Sequence, residues 1–184
     1  MSVKTATRLP LVRRPRRLRR TGPIRDMVRE TRLSADSFIL PLFVCEGHGV
    51  RRPVASMPGV FQLSVDEAVK EAAAAKGDGV PGVLLFGLPA TKDADGTLAA
   101  DPEAPVQSAV RALKRAIPDL IVITDVCLCE YTSHGHCGIL DGEEILNDVT
   151  VSHIVQAALS HAVAGADFVA PSDMMDGQIG RAHV

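Results

Sequence analysis

At 184 residues, 46% hydrophobic and with a formal net charge of −2, the chain can bury a core of about one domain. No apolar run approaches the roughly 18–20 residues that a membrane-crossing helix needs. Nor does the N-terminus show an apolar stretch leading to a small-residue cleavage site, so the expectation is a cytoplasmic protein without a membrane partner.

The first element is a basic arm, residues 1–32. It holds 11 of the 20 Lys and Arg and only two acids, Asp26 and Glu30, which makes it +9 against −11 for the rest. The run Arg13, Arg14, Arg16, Arg17, Arg19, Arg20 could meet phosphates, but it carries no aromatic for base stacking. An arm that packs on its own acidic body, or on a neighbouring subunit, is the preferred reading, with no nucleic-acid partner. Residues 38–44 follow as a short apolar run, a buried-strand candidate, and Gly47, Gly49 and Pro53 mark a loop. Ser64 with Glu67 predicts a capping box that opens an alanine-rich helix to about Lys76, stopped by Gly77 and Gly79.

Residues 83–86 are a second apolar strand, and a polar loop with Lys92, Asp93, Asp95 and Gly96 comes after it. Pro105 suits the first turn of a helix that Pro118 ends. Strand three, 120–124, runs straight into a cysteine cluster. A helix over 148–164, closed by Gly165, precedes strand four at 167–170. Apolar strands alternating with amphipathic helices mean a parallel sheet covered on both faces. The pattern fits half of an eight-stranded barrel or a small doubly wound sheet. Either fold puts ligand chemistry at the C-terminal strand ends, where Cys127, Ser172 and Asp173 fall.

Of four cysteines, Cys45 stands alone in an apolar run and reads as a core residue, while Cys127, Cys129 and Cys137 lie within eleven residues. Clustered cysteines without a secretory signal suggest a metal or redox site rather than a disulfide framework. Cys127 and Cys129 in an extended chain would point the same way, and Cys137 returns after seven intervening residues. Three thiolates suit a borderline cation, Zn²⁺ above all, and leave a fourth position for water or substrate. The competing readings are a closed structural site with His134 or His136, a redox relay, or plain buried cysteines. The absence of a Cys-x-x-Cys pair at a helix start counts against the redox relay. Asp125, taken alone, is a loop carboxylate on backbone amides.

Residues 125–138, Asp-Val-Cys-Leu-Cys-Glu-Tyr-Thr-Ser-His-Gly-His-Cys-Gly, resemble the active-site zinc motif of the porphobilinogen synthases (5-aminolevulinate dehydratases). Residues 170–177, Ala-Pro-Ser-Asp-Met-Met-Asp-Gly, resemble that family's signature after the fourth barrel strand. Weaker likeness runs through Arg-Arg-Leu-Arg at 16–19, residues 38–44, Ala-Ser-Met-Pro-Gly at 55–59 and Leu-Phe-Gly at 85–87.

The resemblance implies an (α/β)8 TIM barrel with an extended N-terminal arm, here cut after about four β/α units. Residues 33–178 would form the first half of the barrel, and 179–184 a tail foreign to the family pattern. It implies condensation of two 5-aminolevulinates to porphobilinogen with loss of two waters, in a homo-oligomer that is commonly an octamer. By position, Cys127, Cys129 and Cys137 would hold zinc, and Asp125 and Ser172 would bind substrate; an allosteric Mg²⁺ in the full-length protein is left open. The family's two Schiff-base lysines fall on later strands, beyond Val184. None of Lys4, Lys70, Lys76, Lys92 and Lys114 stands in either context, so the chain by itself is expected to be inactive. The alternative function is a non-catalytic zinc-binding α/β module.

Overall fold

The computed structural model describes residues 10–182, and its internal contacts divide the chain into two compact units, Met1–Ser34 and Ala35–Val184. In the first unit a 3-10 turn at Pro15–Arg19 precedes the short helix α1, Gly22–Met27. Thr21 caps α1 by accepting the Ile24 N–H, and Pro23 occupies its first turn, where a missing N–H costs nothing. The guanidinium of Arg29 pairs with Asp26, and that of Arg32 donates to the Asp26 carbonyl.

The second unit opens with strand β1, Ile39–Cys45, followed by β2, Arg51–Pro53, and β3, Phe61–Ser64. Helix α2, Val65–Gly77, leads to β4, Gly82–Leu88, and helix α3, Pro105–Ala116, to β5, Ile121–Val126. A two-stranded hairpin, β6 at Leu140–Asp141 and β7 at Glu144–Ile145, precedes α4, Asn147–Ala164. Strand β8, Phe168–Pro171, and the short α5, Gln178–Ala182, complete the described chain.

The main sheet runs β2-β3-β1-β4-β5-β8. Every pairing is parallel except β2 with β3, which is antiparallel. The β-α-β connections are what allow parallel neighbours, since a parallel pair needs a crossover of a dozen or more residues. Helix α3 buries Val106, Ala109, Val110 and Leu113, the i, i+3, i+4, i+7 face of a helix, against Val44, Val83, Leu85 and Val122. A second cluster gathers Val126, Leu128, Tyr131 and Ile139 under Val151, Ile154 and Ala158 of α4. It lies directly beneath the cysteine segment and makes that segment part of the packed body. Among the described residues no helix is long and apolar enough to cross a membrane.

Three local expectations are corrected. The Ser64–Glu67 capping box does not form: no side chain caps the first turn of α2. Ser64 is fully buried at the end of β3, where its Oγ accepts the Val50 N–H at 2.9 Å and donates to Asp66 at 2.6 Å, while Glu67 pairs with Lys70. The stretch after Gly49 is not all loop, because β2 turns back to pair with β3 and extends the sheet. Asp167 lies outside β8; its carboxylate instead accepts the Val122 N–H at 2.8 Å and holds Lys114, which ties the start of β8 to β5.

Candidate metal and substrate site

The site grows from the C-terminal end of β5. Thr124 and Asp125 are buried strand residues, and Cys127 follows just beyond the last strand residue, Val126. Cys129 is not in extended chain, as the sequence suggested. The Leu128 carbonyl accepts both the Tyr131 and the Thr132 N–H groups, at 2.8 and 2.9 Å, and curls the chain into a turn. That turn still brings the sulfurs of Cys127 and Cys129 to 3.3 Å. Cys137 returns through the loop around Gly135, whose φ of +73° lies in the left-handed region that glycine adopts without strain. All three sulfurs then lie within 4.8 Å of one another.

Among the described residues no histidine or carboxylate joins this group. His134 is engaged elsewhere: its Nε2 lies 3.1 Å from the Ala94 carbonyl, and its Nδ1 accepts the His136 N–H. His136 Nδ1 accepts the Gly138 N–H. Burial pushes the thiols of Cys127 and Cys129 above the ordinary cysteine range; the neighbouring sulfurs add to the shift at Cys127, while at Cys129 the hydrogen bond with Cys127 opposes it and Cys137 adds to it. Three sulfurs converging at one point, two of them on thiols that burial makes costly to ionise alone, form a donor set that a thiophilic cation would complete. The cluster can hold a metal ion.

Asp125 sits one strand position deeper. Burial raises its carboxyl pKa, a hydrogen bond from Ser172 opposes the shift, and nearby Asp173 adds to it. Ser172 follows β8, the strand paired to β5 in the register Asp125 opposite Ala170, so the parallel pairing sets these two side chains together. Asp173 is itself buried; its Oδ1 accepts the Met174 N–H at 2.5 Å, whereas Oδ2 has no protein partner.

Sequence reasoning missed Glu130. Its carboxylate accepts the Gly87 N–H at 3.2 Å, and burial followed by the charge of Asp125 pushes its pKa up to about 8. Only the strand-to-strand contact reveals it, because a glutamate between two cysteines and a tyrosine carries no pattern of its own. Tyr131 beside it is buried with an unpartnered hydroxyl that presses against Gly87.

Residues 12–183 match the sequence profile of delta-aminolevulinic acid dehydratase. The chain belongs to the delta-aminolevulinic acid dehydratase family. The dehydratase of Ruminiclostridium josui is 50% identical over 169 residues, covering 92% of this chain and 82% of that protein. That of Halalkalibacterium halodurans is 51% identical over 165 residues, covering 90% of this chain and 50% of that protein. A crystal structure of the Toxoplasma gondii dehydratase (porphobilinogen synthase), in complex with its reaction product porphobilinogen, superposes with a TM-score of 0.88. It is 37% identical, and the match covers 95% of this chain and 50% of that one. The chain therefore spans about half the length of the Halalkalibacterium and Toxoplasma proteins. Its parallel sheet is a partial (α/β)8 barrel, and the three cysteines stand at the C-terminal strand ends where such barrels place their chemistry.

Proposed function

We propose that the protein containing this chain is a zinc-dependent porphobilinogen synthase, which condenses two molecules of 5-aminolevulinate with loss of two waters. The observation that carries this reading is the convergence of Cys127, Cys129 and Cys137 beside the buried Asp125–Ser172 pair, on one end of a partial barrel. Bound there through the three sulfurs, zinc would supply Lewis acidity toward a substrate oxygen. Asp125, whose burial lets its carboxyl keep a proton above the usual carboxylate range, would hold a proton against a substrate carbonyl or amine. Ser172 fixes that carboxyl and offers a second polar contact. The packed cluster below the turn at residues 128–132 supports Cys127, which is buried, while Cys129 and Cys137 stay partly open to solvent.

The imine-forming amines that the family resemblance calls for are assigned to none of this chain's lysines. A nucleophilic amine must be unprotonated, and three of these are held by carboxylates: Lys70 by Glu67, Lys76 by Asp119, Lys114 by Asp167. Lys92 lies close enough to Glu130 to act on its charge, and Lys4 falls outside the described residues. Residues 1–184 alone are therefore inactive on this reading. The full-length protein is read as a cytoplasmic homo-oligomer, an octamer by family resemblance, whose basic arm serves subunit contacts. No described residue is assigned to an allosteric magnesium.

The test uses the full-length, zinc-loaded protein with 5-aminolevulinate. Porphobilinogen should form, X-ray absorption should report a sulfur-rich zinc shell, and Cys137→Ser should abolish turnover. A shell of nitrogen and oxygen only would overturn the metal assignment. The same assay on residues 1–184 should give no product and no borohydride-fixed adduct; an adduct mapped to Lys92 would overturn the assignment of the lysines.

A further inference from the structure

The first turn of α4 touches both loops that build the site. Thr150 is fully buried, and its Oγ1 makes two bonds. It donates to the Leu146 carbonyl at 2.8 Å, the ordinary back-bond of a helical threonine, and it accepts the N–H of Ile139 at 2.9 Å. Helix formation does not call for the second bond, because Ile139 belongs to the chain leaving the cysteine loop, two residues after Cys137. The Leu146 N–H in turn donates to the Ile139 carbonyl at 2.9 Å, so Ile139 is held on both its backbone groups. Between them lies Gly138, and the space around it is full. A Cβ there would meet Ile145 Cγ2 at 2.7 Å, Thr150 Oγ1 at 3.1 Å and Met175 Cε at 3.1 Å.

On the other side of the same turn, Asn147 clamps the loop after β8. Its Oδ1 accepts the Asp176 N–H at 2.9 Å, and its Nδ2 donates to the Asp176 carbonyl at 3.2 Å and to Asp148 at 3.0 Å. Gln178 closes that loop from its far end, accepting from the Met175 N–H and donating to the Asp173 carbonyl at 2.8 Å. Ser172 and Asp173 thus hang from a loop fixed at Asp176, and Cys137 hangs from a loop fixed at Ile139. Both fixed points sit on one helical turn.

We propose that Thr150 and Asn147 are positioning residues that set the third sulfur and the Ser172 loop at a fixed separation. The first turn of α4 acts as a common brace for the metal and substrate halves of the site. This inference rests on the functional reading above. Residues that orient a metal's ligands typically contribute about 10- to 100-fold in metal affinity or activity. Neither residue belongs to the sulfur group.

The experiment compares Thr150→Val, Thr150→Ser and Asn147→Ala in the full-length protein. Thr150→Val keeps the shape and removes the hydroxyl, so zinc affinity should drop by about 10- to 100-fold. The sulfur-to-metal charge-transfer band of the Co²⁺-substituted protein should weaken with it, and Thr150→Ser should restore both. Asn147→Ala should leave the Co²⁺ band and zinc affinity unchanged while raising KM for 5-aminolevulinate more than it lowers kcat. Amide hydrogen exchange in the metal-free protein reads the brace directly: Ile139 should exchange faster in Thr150→Val, and Asp176 in Asn147→Ala. Wild-type zinc affinity and spectrum in Thr150→Val, or unchanged kinetic constants in Asn147→Ala, would overturn the proposal. Should the valine variant not fold, the serine and alanine variants decide it. A wild-type protein that binds no metal through sulfur would sink the functional reading instead, and the exchange data would still judge the brace.

Discussion

Single residues carry the sharpest consequences of this packing. His161 on α4 is 1% exposed, its Nδ1 lies 3.1 Å from Thr124 Oγ1, and its Nε2 has no protein partner. Burial lowers its pKa from 6.5 to about 4. The folded protein keeps the imidazole neutral while the unfolded chain takes up a proton below pH 6.5, so stability is complete above that pH. It should fall by about 3 kcal/mol as the pH drops toward 4. Urea unfolding across this range checks the slope, and His161→Gln should flatten it. Gly87 gives a steric case: an added Cβ would lie 2.1 Å from the Tyr131 hydroxyl and 2.8 Å from Val106 Cγ2. Gly87→Ala should therefore cost about 1–3 kcal/mol of stability by overpacking, read from thermal melting. At the cysteines, burial has raised the Cys127 and Cys129 thiols, so metal must displace protons to bind. Zinc affinity measured by titration calorimetry should weaken steadily as pH is lowered; a flat profile would speak against thiolate ligation.

At the scale of elements, α3 and α2 show how far pattern reading reaches. The apolar positions of α3 recur at helical spacing, and the same residues form the core face, with Leu113 fully buried. Leu113→Ala should cost about 2–5 kcal/mol, and denaturant midpoints would show it. The start of α2 is the opposite case. Ser-x-x-Glu spells a capping box, yet β3 and the Val50 N–H claim the serine first. A side chain can satisfy the nearest helix end only if no buried strand partner competes for it. Strands β2 and β3 were not visible as strands, because three- and four-residue segments around Pro53 and Pro58 carry no period of their own. They exist because β1 offers an edge to pair with.

For the whole molecule, the inner sheet face explains what residues 1–184 alone should do. Phe168 is 60% exposed, Ile39 52% and Phe38 47%. They line a groove of about 380 Å³ with Ile121, Ile123 and Pro81. A contiguous apolar surface of this kind on a sheet favours association. Expressed by themselves, residues 1–184 should aggregate or bind a hydrophobic dye strongly, and the full-length protein should not. Sharp cooperative melting of a monomeric 1–184 would contradict this.

The sequence by itself determined the β-α alternation, the parallel sheet and the cysteine cluster, because apolar periodicity and the spacing of three cysteines are local properties. Its two long motifs also carried the family likeness that the relatives bear out. Only the tertiary structure decided which groups share the pocket. Glu130 meets Gly87 across 43 positions and Asn147 meets Asp176 across 29. The route by which Cys129 reaches Cys127 is a turn, not an extended strand. Such contacts depend on strand register and on which buried donor finds which acceptor, and no local pattern in the chain encodes that competition.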